Sequence, residues 1–137
     1  MRKINPYEIN TEYFKCINNN PKGIKAGDCV VRSISLASEE TWDNVYVGLC
    51  ELGLKLKDMP NNKRVFEKYL QIKGYEKFKM PKYEDNTRYN VKELARELPH
   101  GNYIVSVANH LTCIIDGVIH DTWNCVHKSV GNYWKVK

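Results

Sequence analysis

The sequence predicts an α+β fold in which N-terminal helices pack on a C-terminal antiparallel sheet. Three observations carry this expectation. Apolar residues recur at helical spacing between residues 29 and 98. From Tyr103 onward the pattern changes to short segments rich in β-branched residues. Between two of these segments stands Asp116-Gly117, a strong short hairpin signal that fits a two-residue type I′ turn. Helices first and strands afterwards is the order of an α+β domain, not of alternating βαβ units. The 137 residues match a single domain, 1–137, able to bury roughly 70% of its unfolded surface around one core.

The elements follow in order. Residues 1–27 are polar and turn-rich, and end in Asn18-Asn19-Asn20-Pro21-Lys22-Gly23 and Ala26-Gly27-Asp28. Asp28 has the chemistry of an N-cap, and Val30, Val31, Ile34 and Ala37 repeat behind it, so a helix starts at Cys29. Ser38 reads as the cap of a second helix with the stripe Trp42, Val45, Tyr46, Leu49 and Leu52, closed by Gly53. A third helix spans 62–73 on Val65, Tyr69 and Ile72, with Gly74 ending it. Residues 75–89 interleave Tyr and Phe with Lys and Arg, which fits an edge strand guarded by lysines and also a stacking-plus-phosphate surface. Asn90 caps a short helix through Leu98, and Pro99-His100-Gly101 forms a turn. Strands are expected over 103–108, 111–115, 118–123 and 133–136.

Composition narrows the function. Hydrophobic residues at 42% and charged residues at 27% are the balance of a soluble globular protein. No stretch approaches the roughly 20 apolar residues of a membrane span. Met1-Arg2-Lys3-Ile4-Asn5-Pro6 has no apolar run behind its charges, so a signal peptide is not expected. Lys+Arg at 21 against Asp+Glu at 16 leaves a net charge of +5, scattered along the chain, and nucleic acid is not an expected partner. Five cysteines with no CxxC pair point to free thiols in a reducing cytoplasm. Cys113, His120, Cys125 and His127 match no familiar zinc spacing, and no metal or organic cofactor is expected.

One constellation carries chemistry. Cys29 sits at the first position of a helix, where unpaired amides and the macrodipole favour the thiolate. Asp28 adds opposing negative charge, and a small buried residue is the plainer reading of Cys29. His110 starts the strand entering the Asp116-Gly117 hairpin. A two-residue turn sets Ile115 opposite Val118 and Thr112 opposite Asp121, so His110, Thr112 and Asp121 share one face. Asp121 is then a diagonal neighbour of His110, about 7 Å away at the backbone, and can orient its ring. Trp123 falls on the same face and is expected to shield that pair from water, with Asn124 as the fallback orienter. Cys113 and His120 point to the opposite face.

Gly27-Asp28-Cys29-Val30-Val31-Arg32 opening a helix, then His110-Leu111-Thr112 and Asp121-Thr122-Trp123 on neighbouring strands, resembles the papain-like cysteine peptidase superfamily. The likeness is closest to its small members in bacteria and their phages, and it covers residues 20 to 123. It implies a papain-like fold with Cys29 at the start of the central helix. It implies a peptidase or amidase acting on a peptide or protein through Cys29, His110 and Asp121. Transglutaminases and arylamine acetyltransferases share the residue order, which keeps acyl transfer open. Papain-like enzymes place a Gln before the Cys as oxyanion donor, but here Gln71 follows it. Asn20, or a neighbour in its run, is the candidate donor, and the same asparagines also suit turn formation before Pro21. Without a second donor, a catalytically silent binding or inhibitory protein on the same fold is the alternative.

Overall fold

The computed structural model describes residues 4–137, so the reading of the chain start lies partly on Met1, Arg2 and Lys3, outside the described residues. Helix α1, Cys29–Ser38, begins where the apolar repeat predicts, and its side chains Val31, Ile34 and Ala37 are buried. Helix α2 is Trp42–Leu56 and α3 is Lys63–Ile72. The cap of α2 is Thr41, which accepts from the Asn44 N–H at 3.1 Å, and not Ser38, which lies in the last turn of α1. Gly53 does not end α2 either. The helix runs on to Lys57, whose φ of 55° supplies the left-handed cap. Gly53 serves close packing instead, because a Cβ there would lie 2.7 Å from the Asp58 carbonyl oxygen. Helix α4, Val91–Glu97, starts with the reciprocal capping box of Asn90 and Glu93.

Six strands form one sheet in the order β1-β5-β4-β3-β6-β2. They are β1 Phe14–Cys16, β2 Glu76–Phe78, β3 Asn102–Val107, β4 His110–Ile115, β5 Val118–Asp121 and β6 Tyr133–Lys135. The expected antiparallel sheet is therefore corrected to a mixed one, because β1 pairs parallel to β5, with Cys16 opposite Asp121. A three-residue strand holding one buried side chain, Phe14, carries no periodicity of its own. At the other edge, β2 bears Lys77, the lysine-guarded arrangement that discourages edge-to-edge pairing. Tyr83 and Tyr89 stack on each other at 4.2 Å and donate to Glu93 and Glu97. Those rings are thus spent on α4.

The expected single core is divided by the sheet. Strand residues Ile104, Leu111, Cys113 and Trp134 face α1, α2 and α3. Their neighbours Tyr103, Val105, Ile114 and Ile119 face α4. This alternation is the period-2 signature of strands buried on both faces. In the Asp116-Gly117 hairpin both turn residues have positive φ, 48° and 78°, and Ile115 pairs with Val118 and Ile114 with Ile119. That is the register the turn predicts. Among the described residues, no helix is long and apolar enough to cross a membrane.

Candidate active site

Helix α1 lies against β4, where the Ser33 hydroxyl donates to the Leu111 carbonyl oxygen at 2.6 Å. This contact brings the first residue of the helix to the first residue of the strand. His110 Nε2 lies 2.6 Å from Asp121 Oδ2. The other ring nitrogen is thereby left free for a thiol, and Cys29 lines the same cleft as His110. Trp123 meets the His110 ring edge-on, with centroids 5.3 Å apart at 85°. Asn124 takes no part, since its Oδ1 accepts from the Val126 N–H.

Charge follows from this geometry. Burial pushes the Cys29 thiol up, but the His110 hydrogen bond, the Leu111 backbone and the His110 and Arg32 charges outweigh it, and the thiol titrates below its ordinary value. Burial opposes protonation of His110, yet its bonds to Asp121, Cys125 and Cys29 push it up to about 11. Burial would raise the Asp121 carboxyl, while His110, Thr112 and Arg32 hold it low. The site therefore sets a thiol held below its ordinary value beside an imidazole held above its own, backed by a carboxylate. Because the thiol is held low, the midpoint of a Cys29 alkylation-rate-against-pH curve should lie below the ordinary thiol value of about 8.5. In Asp121→Asn the imidazolium loses its partner, and the midpoint of a rate-against-pH curve for Cys29 should move up toward the ordinary thiol value of about 8.5. An unchanged midpoint would remove Asp121 from the site.

Arg32 is the residue that sequence reasoning overlooked. Its guanidinium is buried and bridges two carboxylates, Asp28 Oδ1 at 2.8 Å and Asp121 Oδ1 at 3.2 Å. The signal was present in the i,i+4 spacing of Asp28 and Arg32. Asp28 therefore does not cap α1 with its side chain. Besides the ion pair with Arg32, it accepts from Asn20 Nδ2 at 3.1 Å and Trp42 Nε1 at 3.0 Å. Its charge, which the sequence set against the Cys29 thiolate, is neutralised within this network.

The same contacts describe Asn20. Its amide donates to Asp28 and its Oδ1 accepts from the Lys22 N–H at 2.9 Å, the turn-forming arrangement. Asn18 donates to the Ile24 carbonyl and Asn19 to the Ser35 hydroxyl. The three amides are bound inward, so the structure assigns none of them to an oxyanion. The Cys29 N–H lies in the first turn of α1, where backbone N–H groups have no intrahelical partner.

None of the five cysteines is paired. Cys125 Sγ lies 3.9 Å from Asp121 Oδ2. Among the described residues, His110, Asp121 and Cys125 are the group whose ligand atoms lie within 4.8 Å of one another, whereas Cys113, His120 and His127 do not join them. The Asp121 oxygen nearest His110 is already committed to the ring at 2.6 Å, which fits a hydrogen-bonded pair better than a metal. A cleft of about 340 Å³ opens beside Cys29 and His110, walled by the Asn61–Asn62–Lys63 turn and the β3–β4 hairpin.

These features define an α+β domain whose mixed sheet and central helix bring a cysteine, a histidine and an aspartate together at the head of an open cleft. Compared with family models, with curated proteins and with solved structures, the chain matches none.

Proposed function

We propose that the protein is a papain-like cysteine hydrolase that cleaves an amide or related acyl bond in a peptide or protein. The observation that carries this reading is the Cys29 thiol held below its ordinary value by His110, itself bonded to Asp121 at 2.6 Å. The Cys29 thiolate adds to the carbonyl carbon, and the developing oxyanion meets the Cys29 N–H. As the adduct collapses, the C–N bond breaks and His110 gives its proton to the leaving nitrogen. Water then loses a proton to His110 and attacks the thioester, which releases the acid and restores the thiol. Asp121 keeps the imidazole oriented, and Trp123 keeps water from that bond. An amine in place of water makes the same site an acyl transferase.

One observation favours the second reading, a silent binding protein on this scaffold: the Asn20 amide is spent on Asp28, which leaves no side-chain oxyanion donor assigned. Thiol mapping separates the two. With limiting iodoacetamide near neutral pH, Cys29 should label ahead of the other cysteines. Burial pushes Cys113 well above the ordinary range, and burial with the Glu8 and Asp121 charges raises Cys16. Mass spectra in which Cys29 labels no faster than Cys50 would end the hydrolase reading.

A further inference from the structure

The cleft beside Cys29 has a one-sided charge inventory. Its walls carry no carboxylate. They carry one uncompensated cation, Lys63, since any charge on the His110 ring is balanced by Asp121 at 2.6 Å. Lys63 makes no ion pair among the described residues. The nearest acids along the chain are committed elsewhere: Asp58 lies 3.7 Å from Arg64 and accepts from Asn62 at 2.6 Å, and Glu67 pairs with Lys77 at 3.0 Å. The remaining polar lining is neutral and can donate. Asn61, Ser106 and Asn109 line the cleft, and their side chains make no hydrogen bond among the described residues. Asn109 is held there by its left-handed backbone, φ 56°, in the two-residue turn between Val107 and His110. Phe66 and Val107 add apolar surface.

We propose that this cleft selects substrates bearing a carboxylate next to the scissile carbonyl, and that Lys63 is the residue that sets this preference. The inference rests on the reading of Cys29 as nucleophile and adds the substrate class: acidic peptide segments, with an Asp or Glu side chain seated between Lys63 and the hairpin donors. A lone cation on a solvated wall attracts a carboxylate a few ångströms away by an amount equal to roughly five- to tenfold in rate, and salt screens it.

The test compares two reagents of nearly equal size and different charge. Iodoacetate and iodoacetamide both alkylate a thiolate, with the S–C bond forming as iodide leaves, but only iodoacetate is anionic. The iodoacetate-to-iodoacetamide rate ratio at Cys29, at low salt and pH 7, should exceed that of Cys50 in the same chain. Lys63→Gln should lower the iodoacetate rate about five- to tenfold and change the iodoacetamide rate less than twofold, and Lys63→Glu should lower the ratio further. Lys63 is exposed, so both variants should melt with the parent. Peptidyl acyloxymethyl ketones extend the test to substrate: a Glu probe should label Cys29 faster than its Gln isostere in the parent, and a Lys probe should overtake both in Lys63→Glu. A ratio that ignores Lys63, or equal labelling by the Glu and Gln probes, overturns this inference alone. A Cys29 inert to iodoacetamide overturns the hydrolase reading and takes this inference with it.

Discussion

Cys29→Ala should reduce amide cleavage to the floor of the assay, a loss of roughly 10⁴-fold or more, while the chain stays folded. The loss is that large because catalysis by a nucleophile and its base acts as a unit, and removing one member forfeits nearly all of it. Neither of the thiols nearest His110's carboxylate partner can substitute. Cys125 is buried, and its Sγ lies 3.9 Å from the Asp121 oxygen that holds His110. Cys16 is turned to the Thr122 carbonyl. The structural cost is small, since one sulfur is lost at a helix start that also lines an open cleft. About 1 kcal/mol or less is expected, a few degrees in melting temperature for a domain of this size. The measurement pairs thermal melting with cleavage of a fluorogenic peptide library rich in acidic residues. A Cys29→Ala protein that melts with the parent and retains its full biological effect would pass the assignment to the silent binding protein.

Arg32→Met should be the most destabilising single change near the site, about 3–5 kcal/mol. One buried guanidinium neutralises two buried carboxylates, so its removal strands both Asp28 and Asp121 in a poorly solvated interior. Neutralising a stranded carboxylate should then restore stability. Asp28→Asn in the Arg32→Met background should melt higher than Arg32→Met alone, although Asp28→Asn lowers the parent. The pH dependence has a definite sign. Burial opposes ionisation of both carboxyls, but Arg32 and their other hydrogen-bond donors hold both folded-state values below 3.8. Their contribution is fully present above about pH 4 and is lost as the pH falls through those lowered values. Melting of the parent should therefore be flat from pH 7 to pH 5 and decline below pH 4. In Arg32→Met, where the carboxyls are held less low, protonation relieves the stranded charges, so the decline below pH 4 should be shallower or absent. Identical acid profiles for the two proteins would remove Arg32 from its place between the carboxylates.

Much of the candidate site was legible in the chain because its geometry is local. The start of α1 at Cys29 follows from the apolar repeat Val30, Val31, Ile34 and Ala37, and the Asn90 cap follows from Glu93 three residues on. The His110–Asp121 contact was derivable because Asp116-Gly117 permits a two-residue turn, and a two-residue turn leaves one register. Trp123 meets His110 although the strand expected to run through it ends at Asp121, so the bend after β5, and not strand alternation, places the ring.

Other features had no local signal. Strand β1 pairs parallel to a strand more than a hundred residues away, on three residues with one buried side chain. The place of Asn20 beside Asp28 depends on how the Asn18–Asn20 turn packs against α1. The cleft wall of Asn61 and Lys63 depends on where the α2–α3 turn comes to rest against the β3–β4 hairpin. The sequence by itself determined the helix start at Cys29, the hairpin register and the histidine–carboxylate pair, because spacing and turn chemistry act between near neighbours. Only the tertiary structure decided that Arg32 ties Asp28 to Asp121 and that Lys63 lines the cleft beside Cys29. The Arg32–Asp121 pair joins residues 89 positions apart, and burial of apolar faces, which has no direction along the chain, sets which residues meet at that distance.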